Sequence, residues 1–182
     1  MSMRTGLVFG FALGLFVAGS LAAEKAGKDH MQLTSTAFRQ GAPIPARYTY
    51  DATNVSPPLK WSGVPAEAKS LALIVDDPDA PVGTWVHWVL YDLPPVTAEL
   101  PEDLPKSQYV AGGAKQGLND FRHLGYGGPS PPRGKPHRYF FKLYALDTLL
   151  DLKPGATKQD LERAMEKHVL AEAELMGTFQ RK

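Results

Sequence analysis

The sequence predicts a mainly β, sandwich-like domain with one helix in its C-terminal region and long, stiff loops. Three observations carry that prediction. Its 16 prolines and 17 glycines gather at Pro57-Pro58, Pro94-Pro95 and in GYGGPSPPRGKP, cutting the chain into short apolar runs, a spacing that suits strands and turns. The runs SLALIVD, WVHWVLY and HRYFFKLYAL are rich in β-branched and aromatic residues, which favour a pleated surface. No internal repeat, low-complexity tract or linker interrupts residues 24–182, a length ordinary for one domain with a real core.

In chain order, strands are expected near residues 31–35, 47–50, 70–76, 85–91 and 137–147. SLALIVD is short and apolar throughout, which reads as a strand buried on both faces. Alternation along the next run puts Trp85, His87, Val89 and Tyr91 on one side and Val86, Trp88 and Leu90 on the other. Both sides are largely apolar, so this strand is expected to be central and His87 buried. The same count groups His137, Tyr139, Phe141 and Leu143. Thr157 with Asp160 three residues on resembles a capping box, Asp replacing the usual Glu, and Leu161, Ala164, Met165 and His168 follow at helical spacing. AEAELMGTF alternates small or apolar with acidic residues, so 171–179 is read as a strand; continuation of the helix is the competing reading.

Residues 1–23 are set apart. Arg4 is a short positive region, GLVFGFALGLFVA is apolar but too short for a membrane span, and SLAA offers small residues for cleavage after Ala22 or Ala23. This reads as a signal peptide, and no cysteine follows to make it a lipoprotein signal. The expectation is export, to the periplasm or outside the cell, with no membrane span in the mature form. Arg4 is the only charged residue removed, leaving 19 basic and 19 acidic residues. A neutral chain without a basic run lacks the footprint of a nucleic-acid binder. The absence of cysteine excludes disulfides, a thiol nucleophile and a thiolate metal site.

The polar residues that need explaining lie in DDPDAPVGTWVHW and HRY. Each has an ordinary reading alone: Asp77 and Asp79 beside prolines as turn residues, His87 as a satisfied core histidine, GGPSPPRGKP as a rigid loop. Their combination argues for a site, because two histidines, a tyrosine and a carboxylate fall at strand ends beside stiff loops. Known nucleotide and hydrolase motifs do not fit. GGPSPPRGKPH fails the Walker pattern in spacing and hydroxyl, and neither G-x-S-x-G nor H-E-x-x-H occurs. The histidines and aspartates have no metal-ligand spacing, so no metal and no cofactor is expected.

Four stretches, NVSPPLKWSGVP, DDPDAPVGTWVHWVLYDLP, GYGGPSPPRGKPHRYFFKLYALD and AMEKHVLAEAELMGTFQR, make the chain resemble the phosphatidylethanolamine-binding protein family, in its bacterial Raf-kinase-inhibitor-like branch. The resemblance spans about Met31 to Arg181. It implies two antiparallel sheets with a small anion pocket at one end, and its pocket residues fall on Asp77, His87, His137 and Tyr139. Gly128 to Pro132, including Pro131, would form the loop beside them, and Asp79 and Pro81 the turn after Asp77. Two departures stand out: Tyr50-Asp51-Ala52 where bacterial relatives commonly carry Cys-Asp-Gly, and Ser130 where they carry cysteine.

The implied ligand is a small anion such as phosphate, phosphorylethanolamine or a carboxylate, and some relatives act on protein partners. A homodimer is compatible with the bacterial branch. Asp77 makes sense beside an anion if it orients a histidine and favours its protonated form. Charge-assisted hydrogen bonds contribute about 1.5–3 kcal/mol each against several kcal/mol of association cost, so affinity is expected at ~10 μM to millimolar. The expectation is a non-catalytic binding protein. Alternatives are an inhibitor or scaffold acting through surface loops, and a hydrolase using the pocket histidines as general acid and base.

Overall fold

A computed structural model describes residues 30–182; the signal peptide read at 1–23 lies outside them. The strands are β1 (Gln32–Thr34), β2 (Leu59–Ser62), β3 (Ser70–Asp77), β4 (Trp85–Leu93), β5 (Glu99–Leu100), β6 (Tyr109–Val110), β7 (Ala114–Gln116), β8 (His137–Leu146) and β9 (Val169–Phe179), with helix α1 (Lys158–Met165) before the last. They form two antiparallel sheets, β1-β2-β5 and β6-β7-β4-β3-β8-β9. This is the mainly β, two-sheet architecture with one helix near the C-terminal end that the sequence predicts.

All eight residues of β3 are buried, because each face of the larger sheet has its own cover. Leu71, Leu73 and Val75 pack between the sheets with Leu33, Trp61 and Leu100 from the smaller one. Ala72 and Ile74 face Leu161 and Met165 of α1. Each such side chain contributes about 1.5–3 kcal/mol on burial. The Thr157–Asp160 capping box forms at the start of α1, with Thr157 accepting from the Asp160 N–H and Asp160 from the Thr157 N–H. The helix stops at Met165, so His168 lies beyond it, paired with Asp147. The chain then enters β9, so the strand reading of 171–179 holds and the helical alternative does not.

Two expectations are corrected. Residues 47–50 are no strand: Ala46–Tyr48 form a 3-10 turn. Pro45 precedes it with fixed φ, and both the Thr49 N–H and its hydroxyl close on the Ala46 carbonyl, a local bond that outcompetes pairing. The face assignment along β4 also changes. Asp76 pairs with Val86 and Val75 with Trp88, which leaves a bulge at His87. Beyond it the alternation reverses, so Trp88 and Leu90 join the inter-sheet core while Val86, Val89 and Tyr91 face α1. A bulge of this kind re-aims one side chain without ending the strand.

Candidate functional site

β3 ends where β4 and β8 begin, so Asp77, Trp85, His87, His137 and Tyr139 converge at one end of the larger sheet. They line a cavity of about 350 Å³, closed on its other sides by the 80–82 turn, the 130–132 loop, Phe121 and the Tyr50-Asp51 pair. The bulge turns His87 into this cavity, where it meets Tyr139 edge-on at 5.1 Å.

Asp77 is almost wholly buried and both of its oxygens are engaged. Oδ1 accepts the Asp79 N–H at 2.8 Å and Oδ2 meets His137 Nδ1 at 2.7 Å. That contact fixes the His137 ring and leaves its Nε2 without a hydrogen bond among the described residues. Asp77 therefore orients a histidine, and the histidine is His137.

His87 is held differently. Its Nδ1 lies 2.6 Å from the Gly127 carbonyl; a carbonyl only accepts, so Nδ1 carries the proton. Burial holds the imidazole below its ordinary pKa, outweighing the Gly127 carbonyl and the Asp77 charge that favour protonation. A neutral ring with Nδ1–H presents Nε2 as an acceptor, complementary to a ligand hydroxyl or ammonium. The pH consequence follows from linkage. The folded pKa lies below the unfolded value of about 6.5, so this contribution is complete above that pH and is lost as pH falls below it. The urea midpoint should drop between pH 7.5 and pH 5, and His87→Gln should flatten that part of the profile.

Two further donors belong to residues that line the cavity. The Tyr139 hydroxyl and the Trp85 indole N–H are buried and have no hydrogen-bond partner among the described residues. Burial first, then the Asp77 carboxylate, pushes the tyrosine far above its ordinary pKa, so it stays protonated. Buried donors without partners are uncommon, each costing about 1–3 kcal/mol.

The remaining expected residues build the frame. Asp79 receives Arg138 in a two-point contact at 2.7 and 2.9 Å, plus the Arg138 N–H, which pins the turn to β8. Arg138 holds its carboxyl down at about 2. Pro81 and Pro131 both line the cavity. Gly128 stands behind the wall: its N–H donates to Asn54, and a Cβ there would sit 2.2 Å from the Tyr48 carbonyl. Asn54 itself adopts φ 57°, a conformation asparagine tolerates better than most residues.

Sequence reasoning missed part of the wall. Phe121 stacks on Tyr50 at 4.4 Å and 14°, and meets Trp85 edge-on at 5.4 Å. Ser130 donates to Asp51, whose carboxylate also pairs with Arg181 at 2.9 Å. Trp85 was visible in W-x-H-W; Phe121, in an unpatterned loop, carried no signal.

Fold and site define a β-sandwich protein whose end pocket combines a histidine–aspartate pair, a neutral histidine and two unpartnered donors. The chain belongs to the phosphatidylethanolamine-binding protein family, whose model matches residues 34–180. A UPF0098 protein of Methanothermobacter thermautotrophicus is 56% identical over 151 residues, covering 83% of this chain and 99% of its own. One from Aquifex aeolicus is 50% identical over 158 residues, covering 86% and 92%. The crystal structure of a putative phosphatidylethanolamine-binding protein homolog from Chlamydia trachomatis matches with TM-score 0.77 at 46% identity, covering 85% of this chain and 99% of its own. Escherichia coli YbcL, described as a new member of the mammalian family, matches at 0.80 and 34% identity, covering 84% and 99%.

Proposed function

We propose that this protein is an exported, non-catalytic binding protein whose end pocket holds a phosphate or carboxylate group. That group is carried by a small molecule, phosphorylethanolamine among them, or by a protein partner that the protein regulates. The observation that carries the reading is the pair of buried, unpartnered donors, Tyr139 Oη and Trp85 Nε1, on two residues that line the same cavity as His137. Donors left without protein partners are supplied with one when an anion enters. A non-catalytic role is supported by Ser130, the hydroxyl nucleophile on the wall. Its contact is Asp51, itself paired with Arg181, and among the described residues no histidine hydrogen-bonds it as a base would. Export rests on the features of residues 1–23.

Calorimetric titration with phosphate and with acetate tests the reading. Saturable binding in the ~10 μM to millimolar range, lost in His137→Ala, is the expected result. Unchanged binding in that variant would remove the pocket assignment.

A further inference from the structure

We infer that the pocket prefers anions carried on a flat apolar group, such as aryl phosphates and aryl carboxylates, over the bare anion or an anion on a flexible chain. The inference rests on the binding role proposed above and narrows its ligand class. A cavity of about 350 Å³ falls in the size range of whole small-molecule sites, roughly 300–1,000 Å³. Water occupies about 30 Å³ per molecule, so phosphate or acetate alone would leave most of the space to solvent.

The cavity lining combines polar and flat apolar groups. His137, Tyr139 and Trp85 Nε1 bring the hydrogen-bonding groups together at the strand ends. Much of the remaining lining is aromatic or proline: Tyr50 and Phe121, stacked at 4.4 Å, with Pro81, Pro131 and Pro132, and Phe121 meets Trp85 and His87 edge-on. Val82 stands at the mouth, 78% exposed, and Tyr50 is 37% exposed. An anion seated on the donors would direct its substituent along that wall, where a ring is offered flat faces and edges at offset-stacking or T-shaped distances.

The wall is also held in place before any ligand arrives. The Tyr50 N–H donates to the Pro129 carbonyl at 2.9 Å, and the prolines have no rotamers to lose, so ordering costs on binding are small. Asp51, the wall's one exposed carboxylate, is paired with Arg181, which reduces its repulsion of an incoming anion.

The test compares phenyl phosphate, n-butyl phosphate, phosphorylethanolamine and inorganic phosphate by calorimetry on the mature protein, with benzoate against acetate as a second pair. The expected result is phenyl phosphate binding about 10-fold or more tighter than inorganic phosphate, a step of about 1.4 kcal/mol, and several-fold tighter than n-butyl phosphate. Tyr50→Ala should bring the phenyl-to-inorganic ratio close to one, and Tyr50→Phe should restore it. If inorganic phosphate binds and phenyl phosphate binds no tighter, the inference falls while the anion pocket stands. Equal affinity for n-butyl and phenyl phosphate would replace a flat ligand with any apolar one and overturn the stated preference. If none of the phosphates or carboxylates binds, the proposed function falls, and this inference with it.

Discussion

Replacing Lys142 and Lys158 together by methionine is expected to destabilise the protein by about 3–5 kcal/mol, the cost of leaving a buried charge without partners. The charge is Asp76, 1% exposed. Lys142 of β8 reaches it at 3.0 Å, and Lys158, the first residue of α1, at 2.5 Å. The two lysines keep part of their side chains in solvent and the aspartate does not, so the penalty falls on the carboxylate. Removing Asp76 instead should cost less, because both ammonium groups can turn to water. Asp76→Leu in the double-methionine background should recover most of the loss, since an apolar replacement of a whole buried ion cluster is often neutral or better. Burial is the largest single influence and works against a charged Lys158, but the hydrogen bond and charge of Asp76, together with Glu162, outweigh it and leave the pKa raised. A raised folded pKa gives stability that is complete below the unfolded value of about 10.4 and is lost as pH rises through the folded one. Guanidinium denaturation of the three variants reads the effect directly. A double variant within 1 kcal/mol of the parent would show that Asp76 is not held as a buried charge.

That cluster bears on the pocket through strand geometry. Asp76 and Asp77 are adjacent and point to opposite faces, as neighbours in a strand must. One is fastened to α1 and the other orients His137. The DD of SLALIVDD therefore serves two sites.

This division shows what the sequence could reveal. Long runs announced β3, β4 and β8, because strands of eight to ten residues, most of them apolar or aromatic, leave little choice of partner surface. The capping box announced α1. Strands of two or three residues, such as β5 and β6, have too few residues for a period to be visible, and their pairing is decided by the sheets they complete. Tyr48 and its neighbours read as a strand because Arg47, Tyr48, Thr49 and Tyr50 alternate; a proline and a threonine hydroxyl close a turn there instead. The His87 bulge had no signature in the letters, since it is fixed by the register against β3. A strict period-two count therefore grouped His87 with Val89 and Tyr91, although those two face the helix. Tyr139 was placed correctly because β8 runs without a bulge from His137 to Ala145. The pocket's histidines and aspartates were legible as unusual polar residues at strand ends. Tyr50 and Phe121 were not, because aromatic residues in loops carry no periodicity and meet only in the folded chain.

Tyr139→Phe is expected to move stability and binding in opposite directions. The hydroxyl is buried and unpartnered among the described residues, and such a group costs about 1–3 kcal/mol. Phenylalanine keeps the ring, its edge-on contact with His87 and its place in the inter-sheet core, while discarding that cost. The variant should therefore be more stable than the parent by up to that amount, seen as a higher denaturant midpoint with an unchanged slope. Phosphate affinity should fall by about 10-fold or more, because a hydrogen bond to a charged ligand contributes about 1.5–3 kcal/mol. A purely structural hydroxyl predicts the reverse pairing: lower stability with binding unaltered. Trp85→Phe offers a second reading of the same principle, since its indole N–H is likewise buried and unpartnered. Stability retained in the fold but withheld at two donors on residues that line one cavity is the pattern expected where a ligand completes the hydrogen bonding. Measuring both quantities on one variant separates that arrangement from an imperfection of packing.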